Sequence, residues 1–279
     1  MVLFVNHGDS ATMIFEPSII SSVQPMQAYW FLFHENNLLI STMKSDITVP
    51  FITNPSDLGI SIYEHHFFGM LDDNICFCAE LKNPTLTPPN MELRDLRSLY
   101  EQIENGMYKA ALRATQIVSW DRNHQFCGRC GSATVTAIGE YAKQCTKCGL
   151  MNYPRISPAI IVAIVKDKKL LLARRFNSQV YSVIAGYVEA GENLEECVHR
   201  EVKEEVSIEV KNIKYFGSQP WAFSNSLMLA FTAEWLSGDV KVDGVELEEA
   251  TWFTDNLPKI PSPLSISRKL INWYVETYK

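Results

Sequence analysis

Between Gly186 and Ile208 the chain reads GYVEAGENLEECVHREVKEEVSI, and its acidic residues are spaced for chemistry. Glu201 and Glu205 are i and i+4, and Glu201 and Glu204 are i and i+3, so a helix here presents all three on one side. Like charges so arranged repel and weaken a helix unless a cation neutralises them. Carboxylate oxygens are the donors that a hard divalent ion such as Mg²⁺ or Mn²⁺ selects. A solvated acidic helix is the plain alternative. Against it stand the loop of Gly186, Gly191 and Glu192 that precedes the helix, and the Arg200-Glu201 pair inside it. Loop and helix face converge on one point, and the spacing predicts a cation site there.

A second ligand set lies upstream. Cys127 and Cys130, then Cys145 and Cys148, form two C-x2-C units separated by fourteen residues. This is the spacing of two knuckles that hold one tetrahedral Zn²⁺ through four thiolates. Gly128, Gly131 and Gly149 suit the tight turns around sulfur. A site closed by four thiolates keeps no open position, so one structural Zn²⁺ per chain is expected, stabilising a segment too small to fold alone. A redox role for one pair would leave the other unexplained. His65-His66 and Cys76-x-Cys78 have no second ligand pair and read as packing or surface residues, as do Cys197 and His199.

The elements that position these groups are legible as apolar runs. Tyr29–His34, Leu38–Thr42, Ile60–Phe68 and Ile75–Leu81 read as strands. After the Pro-rich LKNPTLTPPN, the spacing in MELRDLRSLYEQI predicts a helix, and MYKAALRATQIVSWDRNH a second helical stretch. Past the cysteines, SPAIIVAIV and KLLLARR form a hairpin joined at Lys166-Asp167-Lys168. Asn193 caps the acidic helix over 193–206. Strands are expected at Ile213–Phe216, Leu227–Trp235 and Thr251–Phe253, and an amphipathic helix at Ile266–Tyr278. This order gives an α/β fold, a mixed sheet between helices. Three domains are expected: an N-terminal α+β domain over 1–120, a zinc ribbon over 121–153 and an α/β domain carrying the acidic helix over 154–279.

With 279 residues, 47% of them hydrophobic, the chain has enough for sizeable cores. A net charge of −7 argues against binding nucleic acid chiefly through a broad basic face. The longest apolar run, Ala159 to Val165, is strand-sized, so no membrane span is expected. The N-terminus lacks a basic start followed by an apolar stretch, and the C-terminus lacks a peroxisomal address. Paired cysteines suited to a metal fit a reducing compartment, so the expected location is cytoplasmic.

The acidic segment resembles the Nudix box, G-x5-E-x7-R-E-U-x-E-E-x-G-U with U apolar. Gly186, Glu192, Arg200, Glu201, Val202, Glu204, Glu205 and Ile208 all match; Ser207 stands where the family has its second glycine. Downstream, Ser218-Gln219-Pro220-Trp221-Ala222-Phe223-Ser224-Asn225-Ser226 resembles the S-Q-P-W-P-F-P-x-S signature of the NADH pyrophosphatase family, with Ala222 and Ser224 replacing two prolines. That family also sets a four-cysteine zinc ribbon directly before its Nudix domain. The resemblance covers roughly 90–279, more weakly the part before.

The resemblance implies a Nudix α/β/α sandwich and metal-dependent hydrolysis of NADH or NAD to AMP and NMN(H). It implies Mg²⁺ or Mn²⁺ ligands at Glu201, Glu205, Glu246 and the Ala185 carbonyl, with Glu205 the catalytic residue and Glu204 helping. Glu192 and Arg200 would pair to fix loop against helix, a structural role shared with Gly186. Substrate contacts fall on Glu140, Tyr153, the Gln219–Ser226 segment and Ser267, with Arg94 as an N-terminal phosphate contact. Trp221 and Phe223 offer faces for base stacking, and Gln219 and Ser226 offer hydrogen bonds. The resemblance also allows removal of NAD caps from RNA, or action on other dinucleotides, and implies a homodimer. The alternative of another class is a zinc-ribbon nucleic-acid-binding module with an inactive Nudix domain, using Arg122, Lys143 and Lys147. A full set of acidic ligands would have no purpose in such a module.

Overall fold

A computed structural model describes residues 13–18, 27–42, 47–85 and 87–278. The stretch read for a leader falls mostly outside them. The chain forms two compact units that meet in sequence at Arg155 and Ile156.

The first unit is built on a seven-stranded sheet of β1 (Phe15–Pro17), β2 (Ala28–His34), β3 (Asn37–Ser41), β4 (Phe51–Ile52), β5 (Ile62–Leu71), β6 (Asn74–Leu81) and β7 (Met91–Asp95). The order is β1-β5-β6-β2-β3-β7, with β4 on β2. Helix α1 (Asn105–Asn123) packs on β5, β6 and β2. Ala28, Trp30 and Leu32 alternate along β2 into one core cluster with Leu39, Ala79 and Leu81, the period of a strand.

The helix expected over MELRDLRSLYEQI is not there. Its first half is β7, paired with β3 from Asn37↔Asp95 to Ser41↔Met91. The rest is a chain of turns, in which the Asp95 carboxylate accepts from the Arg97 and Ser98 amides. Leu96, Leu99 and Ile103 are buried at helix-like spacing. However, Leu99 and Gln102 bond three residues back, and Glu101 at φ 62° breaks any helical run. Turns and helix satisfy the same spacing; the open edge of β3 decides between them.

The cysteine segment adds a small antiparallel sheet of β8 (Thr134–Thr136), β9 (Lys143–Cys145) and β10 (Met151–Asn152). It is tied to the rest of its unit by polar groups. The Tyr141 hydroxyl donates to the Phe67 carbonyl at 2.6 Å. Lys143, 1% exposed, reaches Asp121 of α1 at 2.5 Å and Glu64 of β5 at 3.2 Å, and His66 lies 3.3 Å from the same Asp121 oxygen. Burial pushes the Asp121 carboxyl up, but bonds from His66 and Lys143 outweigh it and hold the group below its usual value. Lys143 is therefore not the surface cation that a nucleic-acid-binding reading would use, and Arg122 is paired with Glu80 at 2.9 Å.

The second unit holds a sheet of β11 (Ser157–Lys166), β12 (Lys169–Arg175), β13 (Tyr181–Ser182), β14 (Ile184–Tyr187), β15 (Glu209–Trp221), β16 (Ser226–Ser237) and β17 (Leu247–Phe253), with helices α2 (Leu194–Val206) and α3 (Ile266–Tyr278). The strand order is β13-β12-β11-β16-β15, with β17 on β12. β11 runs parallel to β16; on its other edge it pairs with β12 near its end and with β14 near its start. Its residues alternate between two cores. Ile160, Val162 and Ile164 join Val198, Val202 and Val206 of α2; Ile161, Ala163 and Val165 join Ile266, Leu270 and Ile271 of α3. A strand covered on both faces needs an unbroken apolar run, which SPAIIVAIV supplies. The fold is the expected α/β/α sandwich. Asp167 and Lys168, both at positive φ, make the tight hairpin turn. Among the described residues no helix is long and apolar enough to cross a membrane.

Replacing Lys143 with Ala removes the partner of a buried carboxylate. The loss expected is about 3–5 kcal/mol of stability in the first unit. Denaturant titration followed by tryptophan fluorescence measures it.

Candidate active site and metal centre

The four cysteine sulfurs lie within 4.8 Å of one another. Cys127 and Cys148 are 3.6 Å apart and Cys130 and Cys145 3.5 Å apart, so the thiols are free rather than bridged. A tetrahedral Zn²⁺ with bonds of about 2.3 Å sets sulfurs ~3.8 Å apart, close to these separations. Backbone amides of Cys148 and Lys147 point at the Cys145 sulfur and hold that thiol down to about 6, poised to lose its proton to a metal. The donor set fits zinc.

In the second unit, α2 begins with a reciprocal cap. Asn193 Oδ1 accepts from the Glu196 amide at 2.8 Å, and the Glu196 carboxylate accepts from the Asn193 amide at 2.9 Å. The helix ends at Ser207, which takes the left-handed conformation (φ 61°, ψ 20°) that the glycine of the box would favour. Serine keeps the exit of the helix at some cost in backbone strain.

Arg200 is the hub of the acidic segment. It bonds both oxygens of Glu192 at 2.8 and 2.9 Å, Glu201 at 2.8 Å, Glu204 at 3.0 Å and the Tyr187 carbonyl at 2.9 Å. Its guanidinium, with help from the Glu189 amide, pulls the Glu192 carboxyl down to about 2. The Glu201 carboxylate lies against Gly186 of β14. A Cβ on Gly186 would fall 1.8 Å from Glu201 Cδ, so only glycine fits.

These elements border a cavity of about 450 Å³. Its lining includes Ala185, Gly186, Glu201, Glu205 and Glu246 together with Trp221, Ser224 and Ser226. The box and the downstream aromatic segment thus meet at one place. Glu246 is set by Asp243, whose carboxylate accepts from the Glu246 and Leu247 amides. Trp221 ends β15; Ala222–Ser224 make one tight turn, and Asn225 at φ 52° returns the chain to Ser226. Trp221 meets Phe223 edge-on at 5.1 Å. Ser226, 1% exposed, lies 2.9 Å from the Ser224 hydroxyl and 3.2 Å from that of Tyr187.

Other expected residues lie elsewhere. Gln219 is committed to the start of α3, donating to the Leu264 carbonyl at 2.8 Å and accepting from the Ile266 amide at 2.7 Å. Ser267 is buried, 2.8 Å from the Ser182 hydroxyl. Glu204 is exposed and bonded only to Arg200 among the described residues. Pro220, Ala222, Phe223 and Asn225 shape the hairpin but do not line the cavity. In the first unit Tyr153 donates to Glu140 at 2.9 Å, and Arg94 pairs with Glu92 at 2.5 Å and with Gln102. Residues not anticipated also line the cavity, namely Ala159, Arg175, Tyr187, Glu189 and Met228. Tyr187, an aromatic directly after the first box glycine, was the one with a readable signal. Bonds from Ser226 and Ser224 hold its hydroxyl below the usual phenol range.

Electrostatically the cavity is a cation trap. Burial, then the charges of Glu201, Glu246 and Asp243, push the Glu205 carboxyl up to about 8, against an opposing pull from Arg175. Burial also raises Glu201. Buried oxygen donors with further carboxylates beside them fit a divalent cation.

Glu205 also makes stability depend on pH. Its folded value lies above the ordinary 4.5. Below 4.5 it is protonated in both states and costs nothing. As pH rises from 4.5 to about 8 the unfolded chain releases its proton first, so folded stability falls. In buffer free of magnesium and manganese, Glu205→Gln should therefore be the more stable protein at pH 8, by about 1 kcal/mol or more, and lose that advantage toward pH 4.5. Calorimetry at both pH values checks this. Gly186→Ala must push the Glu201 carboxylate aside; a fall in kcat of about 10–100-fold with the fold retained is expected, measured by steady-state kinetics and circular dichroism.

Three family models match successive parts of the chain. They are the NADH pyrophosphatase-like rudimentary NUDIX domain over residues 27–120, the NADH pyrophosphatase zinc ribbon domain over 122–153, and the NUDIX domain over 155–273. The first is kin to the second unit without carrying a box, a relation the sequence reading did not reach. Relatives include NAD-capped RNA hydrolase NudC of Pseudomonas fluorescens strain Pf0-1, 43% identical over 219 residues, covering 77% of this chain and 79% of that protein. The protein of the same name in Pseudomonas putida strain GB-1 is 44% identical over 213 residues, covering 75% and 77%. That of Stutzerimonas stutzeri strain A1501 is 41% identical over 221 residues, covering 78% and 80%. With its box, ribbon and aromatic segment in place, the chain belongs to the NADH pyrophosphatase family of Nudix hydrolases.

Proposed function

We propose that the protein hydrolyses the diphosphate bond of NADH and NAD, releasing AMP and NMNH or NMN. The observation that carries this reading is the single cavity shared by Glu201, Glu205 and Glu246 on one side and Trp221, Ser224 and Ser226 on the other. Acidic ligands suit the charged centre of a dinucleotide, and an aromatic face suits one of its bases.

Glu201, Glu205, Glu246 and the Ala185 carbonyl are the residues that would hold Mg²⁺ or Mn²⁺, with Glu204 in support through Arg200. Such a cation supplies charge neutralisation and Lewis acidity at the diphosphate. Glu205, buried at the cavity wall beside Glu201 and Glu246, would as a carboxylate take up the proton that water loses as its oxygen attacks phosphorus. The bridging P–O bond breaks, and each product leaves with one phosphate. Glu192 and Arg200 hold the loop against the helix, and Trp221, supported edge-on by Phe223, stacks on a base. The remaining family positions, Glu140, Tyr153, Gln219, Pro220, Ala222, Asn225, Ser267 and Arg94, are proposed as contacts or supports for the substrate.

Removal of the NAD cap from RNA is a second activity of the same site, since the bond cleaved is identical and the relatives named above carry that activity in their name. A homodimer and a cytoplasmic location complete the reading, the latter supported by free thiols arranged for metal.

Incubation with NADH and Mg²⁺ or Mn²⁺, followed by chromatography of products, tests the reaction. Glu205→Gln should lower kcat by about 10²–10³-fold, and near-native turnover would remove Glu205 from its role. The ratio of kcat/KM on NADH to that on NAD-capped RNA ranks the two activities.

A further inference from the structure

Strand β12 ends in two consecutive arginines, and a bulge between Arg174 and Arg175 shifts its register against β17. A bulge bends the strand and re-aims the side chain beside it. Arg174 is fully engaged: it donates to Glu248 at 2.7 Å and to the Ser178 carbonyl at 3.0 Å, approaches Glu249 at 3.5 Å and lies over the Tyr181 ring. Arg175 is held far less. Its side chain is 64% exposed, and its ion pair with Glu246 spans 3.6 Å, longer than a hydrogen bond.

Arg175 also stands where two cavities meet. It lines the 450 Å³ cavity and a second one of about 280 Å³, and Ala185 and Glu205 border both. The larger cavity is lined by Glu189, Glu201, Glu205 and Glu246, and Arg175 is the one cation among its described lining residues. A diphosphate carries two negative charges, which this acidic lining repels.

We propose that Arg175 is a substrate-binding residue that clamps the diphosphate of the incoming dinucleotide, exchanging its loose contact with Glu246 for non-bridging phosphate oxygens. This rests on the dinucleotide reading of the same cavity. A guanidinium presents paired N–H donors that match two such oxygens, whereas an ammonium offers a point charge without the fork. The pair given up is exposed and long, so breaking it costs little. The exchange also releases Glu246, which borders the same space, to face a cation. Arg175 thus reports on whether the diphosphate has entered.

The test compares wild type, Arg175→Lys and Arg175→Ala. Titration calorimetry in buffer free of magnesium and manganese measures binding of a methylene-bridged NAD analogue, with adenosine as the phosphate-free control. Steady-state kinetics on NADH with Mg²⁺ follow. Arg175→Ala should bind the analogue at least tenfold more weakly and show a raised KM, with Arg175→Lys between; adenosine binding and melting temperature should not change. Analogue binding within twofold of wild type overturns the clamp, as does an equal loss for adenosine, which would mean a collapsed pocket. If wild type cleaves dinucleotides and Arg175→Ala matches it, the clamp alone falls. If wild type cleaves none, the functional reading falls and the clamp with it.

Discussion

Concentrated negative charge is the constraint around which the second unit is arranged. Four carboxylates border one half-buried space, and burial alone would drive such groups to take up protons. Arg200 answers part of that charge from beside the space: it binds Glu201 together with Glu192, Glu204 and the Tyr187 carbonyl, fixing the box loop to the helix that follows it. Glu205 is left outside that clamp and carries the largest upward push. The bare Cα of Gly186, the reciprocal cap at Asn193 and the Asp243-braced loop keep the acidic groups near one another despite their repulsion. Each is a small local device, and each serves the same electrostatic purpose.

Two kinds of ligand chemistry are kept apart in the chain. Soft thiolates gather in the first unit at spacings that close a tetrahedron, with amides turned toward sulfur. Hard oxygen donors gather in the second, and among the described residues no three of them draw as close as the sulfurs do. The difference follows from charge. Amides turned toward sulfur let the four thiols crowd together, whereas burial and like charge keep the carboxyls of the second unit apart until a cation lies between them.

Much of this was legible in the residues. Helical spacing put the box glutamates on one face, paired cysteines announced their own site, and the limits of α3 fell where amphipathic periodicity placed them. What escaped reading depends on partners distant in sequence. Met91–Ile103 has the spacing of a helix, yet the free edge of β3 takes its first half as a strand. Arg175 reaches the cavity through a bulge that no local pattern signals. The bonds of the Gln219 amide go to residues forty-five and forty-seven positions away, which no local pattern announces. Local periodicity reports which way a side chain points; it does not report who is waiting there.

The buried ammonium of Lys143 has a consequence for how this architecture can be rearranged. A ribbon held by metal alone would be a portable module, free to be cut out and fused elsewhere. This one carries a charge whose counter-ion sits on a different element, Asp121 of α1, with His66 of β5 beside it. Transplanted by itself, the ribbon would bring along an amine that needs new solvent or a new acid; left behind, the helix would keep a carboxylate with only His66 beside it. Ribbon, helix and sheet therefore form the smallest piece that can be exchanged intact between such proteins, and a chimera joined just ahead of Cys127 would inherit a mismatch no zinc ion can repair.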